Sequence, residues 1–282
     1  TIVLQEMAAR LGIISKKGLS EVIKAEIQNP IINKIIVVLI LSAIVIGNAS
    51  YEAGNISGGI LGLETIVGEM RIAVAGYSLN ILSFIIGIIA FVLLFLGNYK
   101  ILERVLVVLV LIMSISFLIT AFITKPDILE ILKGALLPSV PEGSLLTIIG
   151  LIGTTVVPYN LFLHASLVKE KWKGKEDLKV VRKDTFISII LGGLVSMAII
   201  ISASSIGLDD IVNASDLAKS LAPLYGNYAT YFLGIGLFAA GITSAITAPL
   251  AAAYVVKGCL GFKGNLKSKW FRLVWIIILF TG

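Results

Sequence analysis

The sequence predicts an all-α, polytopic membrane protein, and three observations carry that prediction. Of its 282 residues, 57% are apolar and 14% charged. Apolar runs of about 20 residues recur along the chain, the length that crosses a hydrocarbon core. Runs such as 81–97 and 105–120 also lack the polar face that a soluble amphipathic helix would show.

Spans are expected near 34–58, 78–98, 104–123, 145–168, 185–206 and 227–256. The stretch 1–9 reads as the tail of an earlier span, and another starts at Trp270. The chain is therefore expected to be a single transmembrane domain, 1–282, truncated at both ends. The segment 169–184 is rich in lysine, and Lys16, Lys24, Lys100, Lys257 and Lys267 fall in alternate loops, which places those loops in the cytoplasm. This bias accounts for the net charge of +6 without a nucleic-acid partner. The expected partner is the lipid bilayer, and the expected location is the cell membrane, crossed many times. Lys16–Pro30 and Pro126–Ser139 read as short amphipathic surface helices ended by Pro30 and Pro138.

One span is unusual: Gly153 to His164 reads GTTVVPYNLFLH. A helix bonds each N–H to the carbonyl four residues back, so Pro158 leaves the Thr154 carbonyl without its partner. Most membrane prolines only kink a helix, with Ser or Thr satisfying the freed group. Here Thr154, Thr155, Tyr159, Asn160 and His164 crowd the same turns, and polar groups at this depth must face a protein interior. The stretch therefore reads as a broken helix, the device with which many secondary transporters build a site at mid-membrane. Pro249 frees the carbonyl of Ala245 but has fewer polar neighbours, and reads as a structural kink.

A second polar stretch, GNASYEAGNISGGILGLE, runs from Gly47 to Glu64. The apolar run before it, 35–46, covers only about 18 Å, so part of the polar stretch must lie in the membrane. Asn48, Glu52 and Asn55 share a helix face. Gly54, Gly58 and Gly62 form a small-residue stripe suited to close helix approach. Glu52 reads either as a protonated or hydrogen-bonded packing residue or as part of a proton or cation relay. The single cysteine, Cys259, closes no internal disulfide and reads as packing, and one histidine leaves no zinc constellation. No nucleophile, base and orienting group fall at a recognisable spacing, so the chain is not expected to be an enzyme.

These residues resemble the NRAMP divalent-metal transporters. The sixth helix of that family carries a pattern close to G-A-T-V-M-P-H-N-L-Y-L-H-S, against G-T-T-V-V-P-Y-N-L-F-L-H-A for Gly153 to Ala165. The segment Gln5 to Lys24 is similar to the end of the family's second helix and its cytoplasmic continuation. The resemblance covers nearly the whole chain and implies two inverted five-helix repeats, with the metal between the broken first and sixth helices. The first helix, with its Asp-Pro-Gly-Asn motif, is absent from this sequence.

By that resemblance the ligating carbonyl falls on Thr154, and the metal-binding methionine falls on Val157. Tyr159 replaces the first of two histidines, with a hydroxyl or gating role, and His164 keeps the second. The family's acidic pair on the third helix falls on Glu52 and Asn55. A thioether suits transition metals and valine offers no ligand, so the implied selectivity moves from Mn²⁺ or Fe²⁺ toward Mg²⁺ or breadth. Fewer groups titrate near neutral pH, which puts proton coupling in question. The expected activity is import of a divalent cation by alternating access, with that cation as substrate and no cofactor. Two alternatives stay open: the same fold carrying a small organic solute such as an amino acid, and a channel or structural membrane subunit.

Overall fold

The structure, a computed structural model, describes residues 1–282 apart from 75, 98–99, 138, 173, 206–212 and 263–265. In chain order, α1 (Ile2–Ser15), α2 (Leu19–Glu26) and α3 (Pro30–Val67) are followed by a hairpin of β1 (Arg71–Val74) and β2 (Tyr77–Asn80). Then come α4 (Ile81–Leu96), α5 (Lys100–Ile123), α6 (Ile128–Leu136), α7 (Leu145–Thr155) and α8 (Pro158–Lys171). The chain continues through α9 (Leu178–Ser204), α10 (Ala214–Lys219), α11 (Ala222–Tyr225), α12 (Ala229–Leu260) and α13 (Lys269–Thr281). Among the described residues five helical segments are long and apolar enough to cross a membrane, including 145–171 across its break, and Ile81–Leu96 is a shorter apolar helix.

Local chemistry sets the helix starts and stops. Asn29 caps α3 by accepting from the Ile31 and Ile32 N–H groups at 2.9 and 3.2 Å, and Pro30 takes the first helical position, where a missing N–H costs nothing. Pro30 therefore opens α3; it does not end α2, which stops at Glu26. The second amphipathic helix, α6, is capped by Asp127 and ends at Leu136; Pro138 lies outside the described residues. Gly97 ends α4 with φ 62°, donating its N–H to the Leu93 carbonyl at 3.1 Å.

Helix α3 runs through the polar stretch as one uninterrupted helix of 38 residues. The hairpin was not anticipated: it pairs Arg71 with Asn80 and Val74 with Tyr77, antiparallel, so β2 occupies the expected start of the second span and α4 begins only at Ile81. Its eight strand residues carry Ile, Val, Tyr and Leu next to Gly76 at φ 85°, a turn signal that a search for apolar runs passes over.

The framework is the pairing of α3 with α12, which brings their backbones into contact. A Cβ on Gly62 would lie 2.5 Å from the Phe238 nitrogen and 2.6 Å from the Gly234 oxygen, and one on Gly241 would lie 2.5 Å from the Gly59 nitrogen. The stripe at Gly54, Gly58 and Gly62 is thus corrected to Gly59 and Gly62, since nothing lies within 4 Å of a Cβ at Gly54 or Gly58. Beside this contact Ile56, Ile86, Ile242 and Trp275 form the centre of the main apolar core, which joins α3, α4, α12 and α13. Shape fit, with no water to expel between helices in lipid, is what small residues supply here.

Candidate functional site

Helix α7 stops at Thr155, and α8 starts at Pro158. Between them Val156 (φ −112°, ψ 67°) and Val157 (φ −74°, ψ 123°) leave helical geometry. The cause is local. Four β-branched residues in a row, Thr154 to Val157, lose side-chain freedom in a helix, and the proline ring drives the residue before it into extended backbone.

The break leaves the last carbonyls of α7 to find other donors. The Ile152 carbonyl still receives the Val156 N–H at 3.0 Å. The Gly153 carbonyl accepts the hydroxyl of Tyr51, from α3, at 3.2 Å. The Thr155 carbonyl meets the Thr1 hydroxyl at 3.4 Å. Among the described residues no donor reaches the Thr154 carbonyl, because Pro158 has no N–H. The Thr154 and Thr155 hydroxyls turn back to the Leu151 carbonyl, at 3.0 and 2.7 Å. The break thus places the negative end of one half-helix next in the chain to the positive end of the other.

Helix α3 supplies the opposite wall. The Tyr51 ring meets Tyr159 edge to face, with centroids 5.6 Å apart. Tyr159 is also within electrostatic reach of Glu52. Glu52 is fully buried; Asn55 Nδ2 donates to its Oε2 at 3.3 Å, and its Oε1 has no partner among the described residues. Asn48, one turn earlier on the same face, donates Nδ2 to the Ala248 carbonyl of α12 at 2.7 Å. Val157 is 7% exposed and packs with Ile44, Ala248, Ala252 and Val255, so its side chain faces apolar neighbours.

Thr154, Val157 and Tyr159 thus flank the break at Pro158, and α3 reaches them through Tyr51, with Glu52 and its partner Asn55 further along the same helix face. His164 does not join them. It lies six residues along α8, about 9 Å further on, with Nε2 3.4 Å from the Thr185 hydroxyl of α9. Tyr51 was missed in the sequence, although Asn48, Tyr51, Glu52 and Asn55 make an i, i+3, i+4, i+7 pattern that would have found it. Among the described residues no three His, Cys, Asp or Glu side chains converge to hold a metal. What this part offers a cation is backbone oxygen, hydroxyls and one carboxylate.

A family model described as Natural resistance-associated macrophage protein-like matches residues 1–282. The chain belongs to the Nramp family. Among its relatives, a metal transporter nramp1 homolog of Dictyostelium discoideum is 27% identical over 96% of this chain and 50% of its own length. A divalent metal cation transporter MntH of Bradyrhizobium diazoefficiens is 29% identical over 93% of the chain and 59% of its own. Another MntH, of Klebsiella pneumoniae strain 342, is 26% identical over 96% of the chain and 64% of its own. The chain therefore spans half to two-thirds of the length of these Nramp relatives. Membership of the family and the long apolar helices make it a multi-pass membrane protein.

Proposed function

We propose that the full-length protein carries a divalent metal cation across the membrane into the cytoplasm by alternating access at the α7–α8 break. The observation that carries the reading is the Thr154 carbonyl, which meets no donor among the described residues and lies beside a hydroxyl-rich and carboxylate-bearing wall. The printed names of the relatives, metal transporter and divalent metal cation transporter, support the cargo class. In this reading Thr154 supplies an oxygen ligand, Tyr159 gates the approach, and Pro158 keeps the two half-helices independent. Of Glu52, Asn55 and His164 only Glu52 and His164 titrate, so they are the groups left to carry protons, with the Asn55 amide bonded to Glu52.

Selectivity follows from Val157. With no sulfur at that position, an oxygen-and-water site has little means of preferring a transition metal over Mg²⁺. Liposomes containing the full-length protein should take up Mg²⁺ and Mn²⁺ with little preference and little accompanying proton movement. Val157→Met should raise the preference for Mn²⁺ over Mg²⁺ by about tenfold, the worth of one modest added ligand. Strong Mn²⁺ preference with acid-driven uptake in the unaltered protein would overturn the selectivity argument.

A further inference from the structure

Helix α2 lies across the Lys-rich end of the bundle and touches three other helices through specific polar contacts. The Gly18 N–H donates to Glu21 Oε2 at 2.8 Å, and the same oxygen accepts from Lys169 Nζ, in the last turn of α8, at 3.1 Å. One turn along α2, Lys24 Nζ donates to the Cys259 carbonyl of α12 at 2.8 Å. That carbonyl is one of the orphans at a helix C-terminus, where a cation is favoured. From α3, Asn33 Nδ2 reaches the Lys24 and Ile27 carbonyls at 2.6 and 2.9 Å and pins the end of α2.

Backbone fit is close at both contacts. A Cβ on Gly18 would lie 2.8 Å from the Ser166 hydroxyl of α8, and one on Gly258 would collide with the Ser20 hydroxyl. A further bond joins the two clamped helices directly: the Tyr254 hydroxyl of α12 donates to Glu170 Oε2 of α8 at 3.4 Å.

These contacts bridge parts of unequal freedom. Helix α12 is fixed to α3 along the glycine contact, whereas α8 is uncoupled from α7 by the break at Val156 and Val157. Swinging α8 away from α12 at this end separates Glu170 from Tyr254, and, with Lys24 on α12 and Asn33 of α3 holding α2 in place, it parts Glu21 from Lys169. Burial pushes the Glu21 carboxyl up, but the Gly18 N–H, Lys169 and Lys257 outweigh that and hold it below the usual carboxylate range. Glu21 therefore keeps its charge, and the clamp holds, at neutral pH.

We infer that α2 is a strap that holds the cytoplasmic half of the broken helix against α12, with Glu21 as the positioning residue that sets how often that side opens. The purpose of the strap rests on the transport reading; its opening can be measured without any flux. Cys259 is the reporter: it is buried in α12 with its thiol beside Ser20 of α2 and its carbonyl held by Lys24.

In the full-length protein in proteoliposomes, N-ethylmaleimide modification of Cys259 is followed by peptide mass spectrometry. Lys169→Gln and Glu21→Gln should each speed labelling by about fivefold, the upper end for a partly exposed ion pair. The double variant should label no faster than either single one, because both remove one interaction. Lys169→Arg should stay within about twofold of the unaltered protein, since the charge is kept. Unchanged labelling in the Lys169→Gln protein, or effects that multiply in the double variant, would overturn the strap. If Glu21→Gln fails to fold, Lys169→Gln leaves the Gly18–Glu21 contact intact and decides the matter with Lys169→Arg. A protein with the predicted labelling and no cation flux would refute the transport reading and leave the strap standing.

Discussion

Two prolines sit inside long apolar segments of this chain, and the helix breaks at one and not at the other. At Pro158 the chain splits into α7 and α8; at Pro249, α12 runs on from Ala229 to Leu260. Both prolines remove one N–H, so the loss of a hydrogen bond is not what separates them. The residues before them differ. Thr-Thr-Val-Val precedes Pro158, four β-branched residues that resist helical geometry, while in the Ala-Ile-Thr-Ala before Pro249 alanine flanks the β-branched pair and sits directly before the ring.

Surroundings widen the gap. Pro249 is buried, and Asn48 donates to the carbonyl just before it. In their most apolar windows 56% of the residues of Ala222–Leu260 are buried against 11% of Leu145–Lys171, so tertiary packing enforces one helix and leaves the other to local preference. A proline thus marks a weak point, and its neighbours in sequence and space decide whether the helix parts there.

The largest expected effect tests the enforcing side. Gly241→Leu drives a side chain into the backbone at Gly59 and should destabilise the protein by about 3 kcal/mol or prevent folding, read as thermal midpoint and membrane yield. A near-normal midpoint would show that the α3–α12 contact does not hold α12 through its proline.

The second test exchanges the prolines. Pro158→Ala restores a donor for the Thr154 carbonyl and should slow hydrogen exchange at residues 156, 157 and 159 by up to about tenfold, the worth of one backbone bond. Pro249→Ala should leave exchange around 246–251 nearly unchanged, because packing already protects it. Equal responses at the two sites would dissolve the contrast.

The smallest effect concerns the donor that crosses from α3 to the break. Tyr51→Phe removes the hydroxyl from the Gly153 carbonyl and should cost about 0.5–1 kcal/mol, seen as a modest fall in midpoint with faster exchange near 153–157. No change would mean that water serves that carbonyl equally well.

Much of the membrane architecture is legible in the sequence, since hydropathy and length act residue by residue; the expected span 104–123 falls within α5, and 227–256 overlaps α12 from Ala229 onward. The hairpin at 71–80 was not legible, because eight strand residues beside a glycine carry too little apolar length to register. Of the candidate site, the freed Thr154 carbonyl and the shared helix face of Tyr51, Glu52 and Asn55 were readable, while the bond from Tyr51 to the Gly153 carbonyl and the offset of His164 toward Thr185 were not.

The sequence by itself determined that this chain belongs in lipid and that one helix parts near Pro158, because both follow from covalent properties of neighbouring residues: apolar surface, a missing N–H and branched side chains. Tertiary structure decided which glycines touch, which carbonyl Tyr51 serves across 102 residues, and that Asn48 steadies α12 across 200. Those choices depend on distances between groups remote in the chain, which only a folded bundle sets.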